Sequence, residues 1–278
     1  MRGRRDGTPL RPVVVESAAN PRVKAILALR RRRDRERAGV ILVEGYEELE
    51  TALASGARPR SLYYCPALIA DPTQLRLLDR AGGMGAELVE LSRPAFERVA
   101  YREGPDGWLA LLPMVPTSLE QLELPADPLV LVCESVEKPG NLGAMLRTAD
   151  AAGVAAVVAA EGVTDWGNPN VVRASKGAVF TVPVAGAGTG EVLEWLRARR
   201  VAVVATTPDA GVPFVVPDLT GGVAVVVGAE RRGLSPAWLD QADARIRVPM
   251  FGRVNSLNVA TCAALVVYEA LRQRGRLR

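Results

Sequence analysis

The second half of the chain carries short runs of apolar, largely β-branched residues that do not alternate with polar ones, at 129–133, 155–159, 179–184, 201–205, 223–227 and 246–248. A strand with one wet face shows a period of two. A strand apolar throughout is buried on both faces, as in a parallel sheet covered by helices. Helical stretches at 142–152, 190–199, 236–242 and 256–274 separate most of these runs. The expected class is therefore α/β, and in such sheets ligands gather at the carboxyl ends of the strands.

The first half alternates helix and strand on a smaller scale. A helical pattern at 21–37 leads to a strand at 40–43, a helix at 46–55, strands at 62–65, 87–91 and 108–112, and helices near 73–81 and from Arg93. Between the halves lie Pro113, Pro116, Pro125 and Pro128 with little periodicity, and proline removes a backbone donor and disfavours helix before it. The expected organisation is a domain at 1–112, a linker at 113–127 and a domain at 128–278.

Charge is distributed unevenly. Residues 1–37 hold twelve Arg and Lys against four acids, a net +8 in a chain whose total is +4. A basic arm without an amphipathic apolar face favours a polyanion, with nucleic acid ahead of a membrane surface. Arg22, Lys24, Arg30, Arg31, Arg32, Arg33, Arg35 and Arg37 are the candidate phosphate contacts. No apolar run reaches the roughly 20 residues of a membrane span, and the apolar stretch at 12–15 is too short for a signal peptide, so the expected location is cytoplasmic. Three dispersed cysteines without a CxxC pair argue against a zinc site. Histidine is absent altogether, which removes Ser-His-Asp hydrolysis, His-ligated metals and imidazole base catalysis from consideration.

Three strand ends carry unusual polar sequence. In Glu137-Lys-Pro-Gly-Asn141-Leu-Gly-Ala-Met-Leu-Arg147, Asn141 is suited to cap a helix from Leu142, and Arg147 is close enough along the axis to reach back toward the turn. In Val227-Gly228-Ala-Glu230-Arg-Arg-Gly233, Gly228 allows close backbone approach to a ligand, while Glu230 has Arg231, Arg232 and Arg147 as candidate partners. In Val248-Pro-Met-Phe-Gly-Arg-Val-Asn-Ser256-Leu257-Asn258, Ser256 is suited to cap a long apolar helix. Capping accounts for each alone, but not for three such clusters on one sheet edge.

In order and spacing these segments resemble the three motifs of the SpoU/TrmH class of SPOUT RNA 2′-O-ribose methyltransferases. The likeness extends to the first half, where Asn20-Pro-Arg-Val-Lys, the arginine run and Leu42-Val-Glu-Gly45 are similar to the family's N-terminal RNA-binding domain, itself like ribosomal protein L30e. The arginine-rich composition resembles members that confer antibiotic resistance by methylating 23S ribosomal RNA. The resemblance implies an S-adenosylmethionine-binding domain with a deep trefoil knot and a homodimer that builds each active site; the cysteine and histidine content makes no metal the expectation. It implies cofactor contacts from Thr206, Gly228, Val248, Leu257 and Asn258, and a catalytic group of Arg147, Asn141, Glu230, Ser256 and Asn258. Arginine is a permanent cation, so the expected role of Arg147 is to polarise the 2′-hydroxyl and hold a phosphate while Glu230 orients it. A transfer RNA substrate, a non-catalytic ribosome-assembly role and a small-molecule nucleotide-binding enzyme remain alternatives; the last lacks a GxGxxG fingerprint.

Overall fold

The structure is a computed structural model that describes residues 13–254 and 256–277. Arg2, Arg4, Arg5 and Arg11 of the basic arm lie outside the described residues. The chain divides into two compact units, one ending at Met114 and the other beginning at Val115.

The first unit runs β1 (Val13–Val15), α1 (Pro21–Ala28), α2 (Arg32–Ala38), β2 (Val40–Glu44), α3 (Tyr46–Ala54), β3 (Ser61–Tyr64), α4 (Arg76–Gly83), β4 (Glu87–Leu91), α5 (Arg93–Val99) and β5 (Trp108–Pro113). Its sheet has the order β1-β4-β3-β5-β2, parallel across β1, β4 and β3 and antiparallel where β5 meets β3 and β2. The pattern expected to give one helix over 21–37 is broken into α1 and α2. Arg35 explains the break: it is 2% exposed, and its Nη1 donates to the Leu29 and Arg30 carbonyls at 3.0 Å each, holding the chain where α1 ends.

The second unit runs β6 (Leu129–Glu134), α6 (Pro139–Ala152), β7 (Ala156–Ala160), α7 (Pro169–Ala174), β8 (Val184–Ala187), α8 (Thr189–Ala198), β9 (Ala202–Thr206), β10 (Val212–Pro213), β11 (Val223–Val227), α9 (Pro236–Gln241), β12 (Ala244–Arg247) and α10 (Val259–Gln273). Its seven strands are parallel at every pairing, in the order β10-β12-β9-β11-β6-β7-β8. Alternate residues of the inner strands, such as Val130, Val132, Ala224 and Val226, pack with Leu196 of α8 and Trp238 of α9. On the opposite face α6 and α10 pack together, and Cys133 Sγ meets Met145 Sδ at 3.6 Å. Both faces are covered, as non-alternating strands require.

Several boundaries differ from expectation. The run at 179–184 is not a strand: a 3-10 turn occupies Ala178–Phe180, and β8 starts after Pro183, which has no amide to give to a ladder. α7 and β10 were not expected, being too short to show a period. The proline-rich stretch is packed rather than free. Leu119 and Leu122 enter the second unit's core, and Leu119 O accepts from Trp195 Nε1 at 3.1 Å.

Candidate active site

The three motif segments leave the carboxyl ends of β6, β11 and β12, and β9 ends beside them at Thr206. α6 begins at Pro139, not at Leu142. Proline at the first helical position loses no intrahelical bond, so the helix opens two residues before Asn141, which is not its cap. Ser256 is not a cap either. Asn258 caps α10, its Oδ1 accepting from Ala260 N at 3.0 Å and Thr261 N at 3.4 Å.

This displacement frees Asn141 to join a polar cluster. Its Nδ2 donates to Glu230 Oε1 at 2.8 Å, and its Oδ1 accepts from Asn258 Nδ2 at 3.1 Å. Asn258 Nδ2 also lies 3.3 Å from Glu230 Oε1. Residues from three separate strand-end segments are thereby bonded to one another. The other carboxylate oxygen of Glu230 is paired with Lys138 Nζ. Hydrogen bonds from Lys138 and Asn141 hold the Glu230 carboxyl below the usual carboxylate range, outweighing slight desolvation. Lys138 is the member of this cluster that sequence reasoning missed. It precedes a helix-starting proline, a position that fixes its backbone but says nothing about a partner ninety-two residues away.

Two glycines of the motifs shape the loop itself. A Cβ on Gly228 would stand 2.2 Å from the Gly233 carbonyl carbon and 2.5 Å from Leu234 N, so its missing side chain admits the loop's own backbone. Gly233, at φ +65°, turns the loop, and its N–H donates to Ala229 O at 2.8 Å. The loop is also held at its far end: Glu134, 4% exposed at the end of β6, accepts from Ser235 N at 2.7 Å. Gly143 seats α6 against α7, since a Cβ there would stand 2.5 Å from Ala174 Cβ.

Arg147 is not in this cluster. It is exposed, and six residues along a helix place it about 120° around the axis from Asn141. The short axial rise that favoured a reach back to the turn is offset by this angular phase, and within one chain Glu230 is partnered by Lys138 and the two asparagines instead. Ser256 is exposed in the loop before α10. Of the expected cofactor contacts, Thr206 Oγ1 donates to Val226 O at 2.8 Å, tying β9 to β11; Val248 follows β12; and Leu257 is 38% exposed beside Asn258. Cys262 of α10 lies against Thr206, and burial pushes its thiol up.

The eight expected phosphate contacts of the first unit divide by environment. Arg35 is buried and spends its charge on backbone carbonyls, which removes it from any surface role. Arg22 makes a two-pronged pair with Glu87 at 2.8 Å, and Arg32 pairs with Glu36 at 2.7 Å. Arg30 lies 5.0 Å over the Tyr101 ring and donates to Ala100 O. Arg31 lies 4.0 Å from Asp34 with its side chain 83% exposed, and Lys24, Arg33 and Arg37 are exposed as well.

Comparison with known proteins gives two family matches. Residues 128–268 match the SpoU rRNA Methylase family and residues 20–110 the MRM3-like substrate binding domain. The chain is 33% identical over 254 residues to the 23S rRNA (guanosine(2553)-2′-O)-methyltransferase RlmP of Bacillus subtilis, covering 91% of this chain and 97% of that one. It is 31% identical over 281 residues to the 23S rRNA (uridine(2479)-2′-O)-methyltransferase of Streptomyces viridochromogenes, covering 98% and 96%. Among solved structures it is similar to the SpoU methyltransferase AviRb of Streptomyces viridochromogenes in complex with the cofactor AdoMet. That match has a TM-score of 0.84 at 29% identity and covers 93% of this chain and all of that one.

Proposed function

The chain belongs to the SpoU rRNA methylase family, and from that premise we propose that it transfers a methyl group from S-adenosylmethionine to a ribose 2′-oxygen of 23S ribosomal RNA. The observation that carries this reading is the bonding of Asn141, Glu230 and Asn258, from three strand-end segments, at the carboxyl edge of a parallel sheet. Two relatives matched over nearly the whole chain are named for 23S ribosomal RNA but for different bases, a guanosine and a uridine, so the ribose is the shared target.

The residues present fit the cofactor. The strand-end loops offer backbone groups and Leu257 a partly exposed apolar surface. These suit an adenine, held by Thr206, Gly228, Val248, Leu257 and Asn258. When bound, the cofactor supplies a methyl already activated for transfer. The protein's task is then alignment, and well-oriented reactants can recover about 7–11 kcal/mol of barrier. Arg147 holds a phosphate and polarises the 2′-hydroxyl, and Ser256 lies on the loop that approaches the sugar. Glu230, committed to Lys138, orders Asn141 and Asn258 and not the guanidinium.

In this reading a second copy completes each site, because Arg147 projects from another face of α6 than Asn141. Leu265 and Tyr268, 39% and 40% exposed on one face of α10, support a homodimer. The family likeness and the insertion of β11 between β9 and β6 support a trefoil knot in the second unit. The mixed sheet of the first unit and its substrate-binding match support an L30e-like RNA-binding role.

The test is transfer of labelled methyl to deproteinised ribosomal RNA and to transfer RNA, with the modified nucleotide mapped by primer extension at limiting dNTP. One 2′-O-methylated nucleotide in 23S RNA is expected. Label in transfer RNA alone would move the substrate, and no label in either would leave a non-catalytic RNA-binding protein. Resistance, the finer consequence, is read by comparing drug susceptibility of ribosomes with and without the mark.

A further inference from the structure

The segment Leu42-Val-Glu-Gly45 ends β2 on a buried carboxylate. Glu44, 5% exposed, accepts from Tyr101 N at 2.7 Å through Oε2, which pins the chain just beyond α5 to the end of β2. The same loop is fastened further along by Asp106, which accepts from Tyr46 N at 2.8 Å and pairs with Arg102 Nη2 at 2.8 Å. Tyr101 is thus fixed through its backbone while remaining partly exposed.

Arg30 meets this loop from the turn between α1 and α2. Its Cζ stands 5.0 Å from the centroid of the Tyr101 ring, and its Nη2 donates to Ala100 O at 2.8 Å. Its own carbonyl accepts from the buried Arg35 at 3.0 Å, so the break in the helical pattern at 21–37 is what delivers Arg30 to the ring. Arg22 and Arg32 are paired with the carboxylates of Glu87 and Glu36. A ring and a backbone carbonyl neutralise nothing, and Arg30 is both tethered and exposed. A guanidinium ordered in this way before any ligand arrives offers a planar, delocalised cation of the kind on which nucleobases stack.

We propose that Arg30, held against Tyr101 and anchored through Glu44, is a stacking platform for an unpaired base of the RNA. The proposal rests on reading the first unit as RNA-binding, and it gives that unit a contact to bases in addition to phosphates. Such a stack tolerates any base, because each has a π face. It favours single-stranded loops, whose bases are free to splay onto a side chain.

The informative variant is Arg30→Lys, which keeps the charge and removes the plane. Tyr101→Leu keeps apolar bulk and removes the ring beneath it. Arg58→Lys is the matched control: Arg58 is exposed but precedes β3, at the opposite edge of the sheet from the end of β2. Each full-length protein is titrated at fixed salt with oligoadenylate, oligouridylate and an abasic ribose-phosphate oligomer of equal length, and assayed for cofactor affinity. The wild type should bind the base-bearing oligomers more tightly than the abasic one. In Arg30→Lys and Tyr101→Leu that preference should fall about fivefold or more, as for one lost stack, while abasic RNA and cofactor affinities hold. Arg58→Lys should keep the wild-type preference. A wild type that binds abasic and base-bearing RNA alike, an Arg30→Lys variant that keeps the preference, or an equal fall in Arg58→Lys would overturn the proposal while leaving the RNA-binding reading in place. A wild type that binds none of the three oligomers and no deproteinised 23S ribosomal RNA overturns the RNA-binding reading and the platform with it. A base preference that depends on Arg30 in a protein that transfers no methyl overturns the methyltransferase reading alone.

Discussion

Glu230 is an exposed carboxylate given a defined environment by three neighbours, and its pH behaviour follows from them. Its carboxyl is held below the ordinary range by Lys138 first and Asn141 second. A depressed folded-state value means that its contribution is complete above the ordinary carboxylate range and is lost only as pH falls through the lowered value. Between about pH 6 and 9, methyl transfer should therefore show no acidic limb from this group; a midpoint near 6 that vanishes in Glu230→Gln would contradict the assignment. Arg147→Ala should abolish transfer while leaving cofactor affinity close to wild type, because Arg147 lies outside the strand-end cluster. Calorimetric titration with S-adenosylmethionine separates the two effects, and an active Arg147→Ala enzyme would sink the role given to it. At this scale the family resemblance put Asn141, Glu230 and Asn258 in one group, and the structure bonds them to one another. It did not name Lys138, and it misassigned Arg35, because burial and angular phase are invisible in a list of residue types.

Elements carry the tolerance of the site. α6 and α7 approach so closely at Gly143 that a methyl group there meets Ala174 Cβ and the Ser175 amide. Gly143→Ala should cost about 1–3 kcal/mol through overpacking. In a chain of this size that lowers Tm by roughly 2–4 °C per kcal/mol. Gly228→Ala should do more harm to function than to the fold, since the clash is with the Gly233 backbone and the loop that carries Glu230 must open to relieve it. Thermal melts followed by circular dichroism, with cofactor binding measured on the same samples, distinguish the two. Strands were the most legible elements: 223–227 and 87–91 appear with the expected bounds, the former because a continuous, mostly β-branched run has few other solutions. Helix starts were misplaced by up to three residues, since Pro139 and Asn258 set them through backbone chemistry that the apolar period does not report.

On the scale of the whole molecule, an apolar pair stands out on α10, where Leu265 and Tyr268 are exposed although the helix otherwise packs on the sheet. If this face joins two copies, Leu265→Glu combined with Tyr268→Glu should halve the mass seen by sedimentation velocity and abolish transfer. A monomeric wild type, or an active monomeric variant, would contradict a shared site. The sequence by itself determined that the second half is a doubly covered parallel sheet, that its polar motif segments follow three strand ends and that histidine has no part in them, because hydrophobic period and residue type are local properties. Tertiary structure alone decided that Lys138 neutralises Glu230, that Gly228 admits its own loop and that Arg147 faces away from Asn141. Those facts depend on how distant segments meet and on rotation about a helix axis, which no linear spacing encodes.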